Sequence, residues 1–364
     1  MSRRLSDSPL CRTLGIRHPV LLAGMAGGPT TPELVAAVSE AGGLGAFGIT
    51  GMSIAAVDAA VRRARELTDA PIAVNVLVAP ATAPDPDGGD PRPAIAGLRT
   101  GMGLPPEAPT PPVPATPREL VATALAAGAA VVSVGLGDPA EVADLAAAAG
   151  VPLVVMASSV ADAERSVASG ADVIVAQGSE AGGHRSTFEV PRDGSVPLVG
   201  TFALVPQVVA AVEVPVVAAG AIMDGRGLAA ALALGAQGVQ MGTRFLVALE
   251  SGAPDGYRRR VASARDTDTV ITRAISGRPA RGLRNRLVDT LEAEGPPALG
   301  YPRQAAASAD LRSAAARADE PELIALWAGQ AAGLAGAPRP AGEILRETVA
   351  EAIAVIRGLP DDAG

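Results

Sequence analysis

The chain has no lysine, and all 30 of its basic residues are arginine. That removes the lysine of a Walker phosphate loop, the amine of a Schiff base and the anchor of pyridoxal phosphate. One cysteine, Cys11, excludes an internal disulfide framework and any cysteine-rich zinc or iron–sulfur site. Two histidines, His18 and His184, lie too far apart in the chain for HExxH and are too few for a multi-histidine centre, so no metal site is expected. No apolar stretch is long enough to cross a bilayer, and no apolar segment follows the charged start MSRRLSDSPLCR. The expectation is a cytoplasmic protein with no membrane partner. A net charge of −8 argues against a nucleic-acid partner.

What is present is apolar and punctuated. Hydrophobic residues make up 48% of the chain, while 42 Gly and 32 Pro separate its apolar segments. Short β-branched runs at 19–24, 43–48, 71–78, 130–134, 152–156, 172–176, 215–219 and 238–241 alternate with alanine-rich helical runs. Several are continuously apolar, as strands covered by helices are. Glycines at 42, 150, 170 and 235 sit just past helical runs, where a left-handed residue ends a helix cheaply. Eight strand–helix units predict an α/β fold, a (β/α)8 TIM barrel; an open doubly wound sheet is the alternative. The barrel is expected over 12–250, with a proline-rich insertion at 80–117 after strand 3. There, 12 prolines argue against a regular helix, and the stretch reads equally as a lid or a surface linker. Residues 251–364 are expected to form a C-terminal helical extension packed on the barrel.

Barrel active sites lie at the C-terminal ends of the strands, and phosphates settle beside strands 7 and 8. Strand 7 ends at Gly220 and strand 8 in Gln240-Met241-Gly242-Thr243, each a glycine turn opening a helix. Free N–H groups and the helix dipole favour an anion there, and Thr243 adds a hydroxyl donor. A plain βα turn accounts for either loop alone; the pair in adjacent units points to a ligand. His184 follows the pair Gly182-Gly183 after strand 6, where an imidazole can accept a proton near neutral pH. His18, just before strand 1, reads as a structural residue. Gln177 and Asn75 can each donate and accept, which suits a heterocycle; Asn75 reads equally as a strand-end hydrogen bond. The GxGxxG at Gly43–Gly48 is a decoy, because its glycines fall within a strand rather than between strand and helix.

The chain resembles the nitronate monooxygenase (2-nitropropane dioxygenase) family of FMN-dependent barrels. The matching blocks are AGMAGGPTTPELVAAVSEAGGLGAFG at 23–48, VNVLV at 74–78, AQGSEAGGHRSTF at 176–188, VPVVAAGAIMDGRGLAAALALGAQGVQMGTRFL at 214–246 and ARDTDTVITRAISGRPARGLRN at 264–285. The resemblance implies that the FMN ring lies against Ala23, Gly24 and Met25, with Asn75 and Gln177 bonding it. Gly182 and Gly220 would hold the phosphate and its neighbours, together with Gln240, Met241, Gly242 and Thr243. Gly183 belongs to the same cofactor-binding turn, and His184 would be catalytic. The implied partners are a nitronate or nitroalkane and O2, giving a carbonyl compound and nitrite. The same barrel occurs in NAD(P)H-dependent enoyl-acyl-carrier-protein reductases and NADH:quinone reductases, which is the competing reading. Two departures stand out: Ala221 replaces a second glycine of the family, and Gly135 at the end of strand 4 predicts a wider pocket. Tyr257, Tyr301 and Trp327, the only non-phenylalanine aromatics, all lie beyond the barrel strands.

Overall fold

In a computed structural model, which describes residues 5–78, 89–107, 114–191 and 194–359, the apolar runs become parallel strands. These are β1 (Val20–Leu22), β2 (Gly45–Gly48), β3 (Ile72–Leu77), β4 (Val131–Gly135), β5 (Leu153–Ala157), β6 (Val173–Gln177), β8 (Val216–Ala219) and β9 (Gly238–Met241). A two-residue strand, β7 (Gly183–His184), intervenes in the chain. The large sheet runs β1-β9-β8-β6-β5-β4-β3-β2. It closes where Leu22 N–H donates to Leu44 O (2.9 Å) and Leu44 N–H to Val20 O (3.1 Å). The result is an eight-stranded parallel barrel, and closure removes the unpaired edges an open sheet would carry.

The helices are α1 (Pro9–Leu14), α2 (Pro32–Glu40), α3 (Ile54–Leu67), α4 (Ala96–Gly101), α5 (Pro117–Ala126), α6 (Ala143–Ala149), α7 (Val160–Ala168), α8 (Thr201–Ala211), α9 (Gly225–Ala233), α10 (Thr243–Leu246), α11 (Asp255–Ala262), α12 (Arg286–Glu294), α13 (Arg303–Ala307), α14 (Ala309–Arg317) and α15 (Ala341–Gly358). Their starts are written locally. Thr31 accepts from Leu34 N–H ahead of Pro32 at α2, and Thr116 and Glu119 form a reciprocal capping box at α5. No helix among the described residues is long and apolar enough to cross a membrane.

Strand alternation sorts the core into two layers. Outward residues such as Val20, Leu22, Val74, Val76, Val132 and Val155 pack under the helices. Inward residues such as Leu21, Ala73, Val131, Val154, Val175 and Val217 fill the barrel, joined from its N-terminal end by Leu10, Cys11 and Leu14 of α1. Cys11 is therefore buried at the end opposite the loops that matter below.

The C-terminal part has more than the expected helices. Strands β10 (Thr269–Thr272) and β11 (Ala280–Leu283) form a hairpin whose second strand pairs antiparallel with β7, Ala280 opposite His184. The chain then returns to the barrel, where α15 packs on α9 and α2. Ile344, Leu345, Val349 and Ala352 join the barrel's outer core, so α15 follows β9 as the eighth outer helix. A division at residue 250 cuts across this packing.

The proline-rich insertion also departs from expectation, since α4 is helical within it. No proline falls between Pro93 and Pro105, which leaves one short window free of the ring clash that bars a helix. Arg99 of α4 is fully buried and donates to Asp310 of α14 (2.7 Å) and to Pro105 O (2.8 Å), which fastens the insertion to the C-terminal part. The stretches 79–88 and 108–113, where a lid would lie, fall outside the described residues.

Candidate active site

The period of two turns Asn75, Ser133, Met156, Gln177 and Gln240 to the barrel interior at the C-terminal ends of their strands. Asn75 is buried and donates to Ser133 Oγ (2.9 Å). Gln240 Nε2 reaches Met156 Sδ (3.2 Å). Gly135 does not open the space expected of it. A Cβ there would meet Met156 Cε at 2.7 Å and Leu77 Cδ2 at 3.2 Å, because those longer side chains have filled the gap.

Residues 23–28 cross the barrel mouth. Ala23 N–H donates to Met241 O (3.0 Å), and Met25 O accepts from Thr30 Oγ (2.9 Å). Gly24 presses on the strands so closely that a Cβ would lie 2.5 Å from Asn75 Cβ and 2.7 Å from Phe47 O. The Met241 side chain is buried in the core, so only its main chain can face a ligand.

Gln177, at the end of β6, shapes the loop that carries the histidine. Its Nε2 donates to His184 O (2.9 Å), and its Oε1 accepts from Ser186 N–H (2.8 Å). One N–H and one lone pair remain for another partner. Buried Arg185 donates to Gly178 O (2.6 Å) and Gln177 O (3.0 Å), and Arg281 to Ser179 O (2.8 Å), so three successive carbonyls face guanidinium groups. Burial and the neighbouring Arg281 lower the Arg185 pKa to about 10, with Glu180 opposing, so the cation persists at neutral pH.

The expected anion loops converge. A Cβ on Gly220 would lie 3.2 Å from Ala181 N, and one on Gly182 would lie 2.8 Å from Gly329 N. Gly329 N–H itself donates to Thr243 Oγ (3.0 Å), and Gln330 N–H to Glu180 O (2.9 Å). Among the described residues the N–H groups of Gly182, Gly220, Gly242 and Thr243 have no hydrogen-bond partner. These four residues are half-buried, and their unpaired donors form a cradle that could hold an anion.

His184 stands next to this cradle. Gly183, at φ +79°, takes the left-handed turn that presents it. Its Nε2 lies 2.9 Å from Ser276 Oγ, in the turn between β10 and β11. The ring meets Tyr301 edge-on at 6.1 Å and Trp327 at 5.5 Å. Burial, then the Arg278 and Arg312 cations, push the imidazole pKa down to about 4, so it is neutral at pH 7. Arg278 is 1% exposed; Nη2 donates to Thr187 O, while its Nε and Nη1 are buried without a partner. Tyr257 Oη donates to Trp327 O (2.6 Å) and fixes the tryptophan from behind. His18 precedes β1 at the far end of the barrel.

The structure thus gathers every residue expected from the sequence at one end of the barrel. It adds Ser276, Arg278, Tyr301, Trp327 and Gly329, all from the C-terminal part. Two signals for them existed in the chain: Ser276 and Arg278 lie inside the 264–285 block, and the only Tyr and Trp residues cluster after residue 250.

A family model described as nitronate monooxygenase matches residues 7–351. A probable nitronate monooxygenase of Staphylococcus saprophyticus is 38% identical over 323 residues, covering 87% of this chain and 90% of the relative. A solved nitroalkane oxidase from Streptomyces ansochromogenes superposes with a TM-score of 0.85 at 35% identity, covering 96% of this chain and all of that one. FabK from Thermotoga maritima superposes with a TM-score of 0.77 at 31% identity, covering 99% of each.

Proposed function

The chain belongs to the nitronate monooxygenase family and is an oxidoreductase acting on nitro compounds, and from that premise we propose that it binds FMN and oxidises alkyl nitronates with O2 to carbonyl compounds and nitrite. The observation that carries this reading is a neutral imidazole, His184, set beside a cradle of unpaired N–H groups at the barrel mouth. The cradle fits the FMN phosphate: its donors come from Gly182, Gly220, Gly242 and Thr243, and Gln240 and Met241 lead the chain into it. The main chain of Ala23, Gly24 and Met25 would support the ring, with Asn75 and Gln177 turned towards its polar edge. Bound FMN would supply the chemistry of taking electrons from the substrate and delivering them to O2.

At neutral pH the uncharged His184 ring, whose pKa is about 4, can accept a proton or hydrogen bond through one nitrogen, while its other nitrogen still carries an N–H. So weak a base removes a carbon-bound proton slowly, which favours a substrate that arrives already as the nitronate anion. Arg278 and Arg312, which keep the ring neutral, also supply positive potential for such an anion. Tyr301 and Trp327 wall one side of the space beside the ring.

A second reading, an NAD(P)H-dependent flavin reductase, is favoured by the likeness to FabK. Anaerobic mixing of the yellow protein with propionate 3-nitronate and, separately, NADH decides between them. Bleaching by the nitronate, with nitrite released on admitting air, is the expected outcome; bleaching by NADH alone would replace this reading with the reductase.

A further inference from the structure

We propose that Ser276 is the positioning residue that sets the tautomer of His184, accepting from Nε2–H and leaving Nδ1 as the ring's lone-pair nitrogen. The argument is a count of protons. Ser276 is buried, and its Oγ has three polar neighbours: Arg278 O at 3.1 Å, Arg278 N–H at 3.4 Å and His184 Nε2 at 2.9 Å. A hydroxyl carries one proton and two lone pairs. The Arg278 carbonyl can only accept and has no other donor among the described residues, so the hydroxyl proton points to it. The Arg278 N–H takes one lone pair. The remaining lone pair faces Nε2, which must therefore carry the ring proton. Nδ1 has no partner among the described residues and is left to meet the substrate.

The frame around this contact is rigid. Ala280 pairs with His184 across β11 and β7, and Gln177 holds the His184 carbonyl, so the main chain that carries the ring is fixed. The charged and titratable groups facing the imidazole are Arg278 from the β10–β11 turn, Arg312 from α14 and the Tyr301 phenol; Arg185 adjoins it in sequence and Arg281 lies opposite Gly183. Among the described residues, no carboxylate is one of the groups that shift its titration. In many catalytic histidines a carboxylate orients the ring and raises its basicity. A serine gives the same orientation without adding charge, which matches a site built to receive an anion.

Two measurements test the assignment. The chain has only two histidines, so long-range 1H–15N spectra of the labelled holoenzyme resolve His184, identified by the signals lost in His184→Asn. A pyrrole-type Nε2 and a pyridine-type Nδ1 at pH 7 are expected; the reverse pattern overturns the proposal, whatever the reaction is. The second measurement rests on the reading of His184 as the group that handles the proton. An acceptor on Nε2–H favours the imidazolium more than the neutral ring, whereas a donor to Nε2 favours the neutral ring. Ser276→Ala is therefore expected to lower the pKa of the acidic limb of the kcat/KM profile. It should also cut kcat/KM by about tenfold with flavin content unchanged, and Ser276→Thr should restore both. An acidic limb that moves to higher pH means that Ser276 donates, which also overturns the proposal. Should Ser276→Ala not fold, the wild-type spectra still decide. Correct spectra with a flat kinetic response would instead count against His184 as the proton-handling group.

Discussion

At neutral pH His184 is uncharged because its ring is enclosed and two arginines face it. Replacing it by Asn keeps a polar side chain of similar reach, so the variant is expected to retain flavin absorbance. Its turnover of neutral nitroalkanes should fall by about 10²-fold, the low end of what a positioned base contributes, because a ring that titrates near 4 is a weak base at neutral pH. The depressed pKa also couples to folding. The unfolded chain binds a proton near the ordinary value of 6.5 and the folded chain only near 4, so stability is full above pH 6.5 and is lost as pH falls towards 4. His18, also lowered by burial, adds to this slope in both proteins. Denaturant titrations between pH 7 and 4 should therefore show a shallower loss of stability in His184→Asn than in the wild type. Ala221 poses a different residue-scale question. It occupies φ +56°, where a Cβ is strained, at the place where relatives were expected to carry glycine. Ala221→Gly should raise stability by about 1 kcal/mol, read as a higher Tm with the flavin site intact.

Elements of the C-terminal part reach the site through a few main-chain bonds. Residues 326–330 run from β11, where Leu283 N–H donates to Leu326 O (2.8 Å), to Thr243 and Glu180 on the barrel loops. Tyr257 of α11 holds the middle of this run, and burial raises its phenol pKa well above the ordinary value, so it stays a donor at any working pH. Tyr257→Phe removes that donor and leaves Trp327 O buried without a partner, which costs about 1–3 kcal/mol. The expected result is a higher KM and altered Trp327 fluorescence with the barrel's circular dichroism unchanged; unaltered fluorescence and KM would show that the run is held without Tyr257. The eight barrel strands were legible because they are short apolar runs, most of them β-branched, set between helical runs, and the observed bounds differ from the expected ones by at most two residues. Strands β7, β10 and β11 were not legible. Two residues, Gly183 and His184, carry no periodicity, and ARGL mixes polar and small residues; TVIT is β-branched throughout, but it is four residues long, mostly half-buried and outside the strand–helix alternation.

On the scale of the whole molecule, the barrel and the C-terminal part depend on each other. Helix α15 buries Ile344, Leu345 and Val349 against the barrel. At about 1.5–3 kcal/mol for each such side chain, their removal approaches the entire stability of a typical domain, about 5–15 kcal/mol. A chain cut after residue 340 is expected to lose cooperative unfolding and flavin together. A soluble, flavin-bound product would show that the barrel closes without its eighth helix. The Arg99–Asp310 ion pair fastens the insertion to the same C-terminal part, so the cap is held at several points around the mouth.

The local chemistry of this protein was already determined by its sequence. Glycine placement, strand periodicity and the scarcity of His, Cys and Lys left few groups able to act, and they identified His184 and the loops after β6, β8 and β9. Only the tertiary structure decided what surrounds that histidine. Ser276 lies 92 residues away in the chain, and contacts across such a distance leave no periodic trace in either segment. They form because a hairpin pairs with two residues of the loop after β6, and burial beside arginines then decides the charge state that the sequence left open.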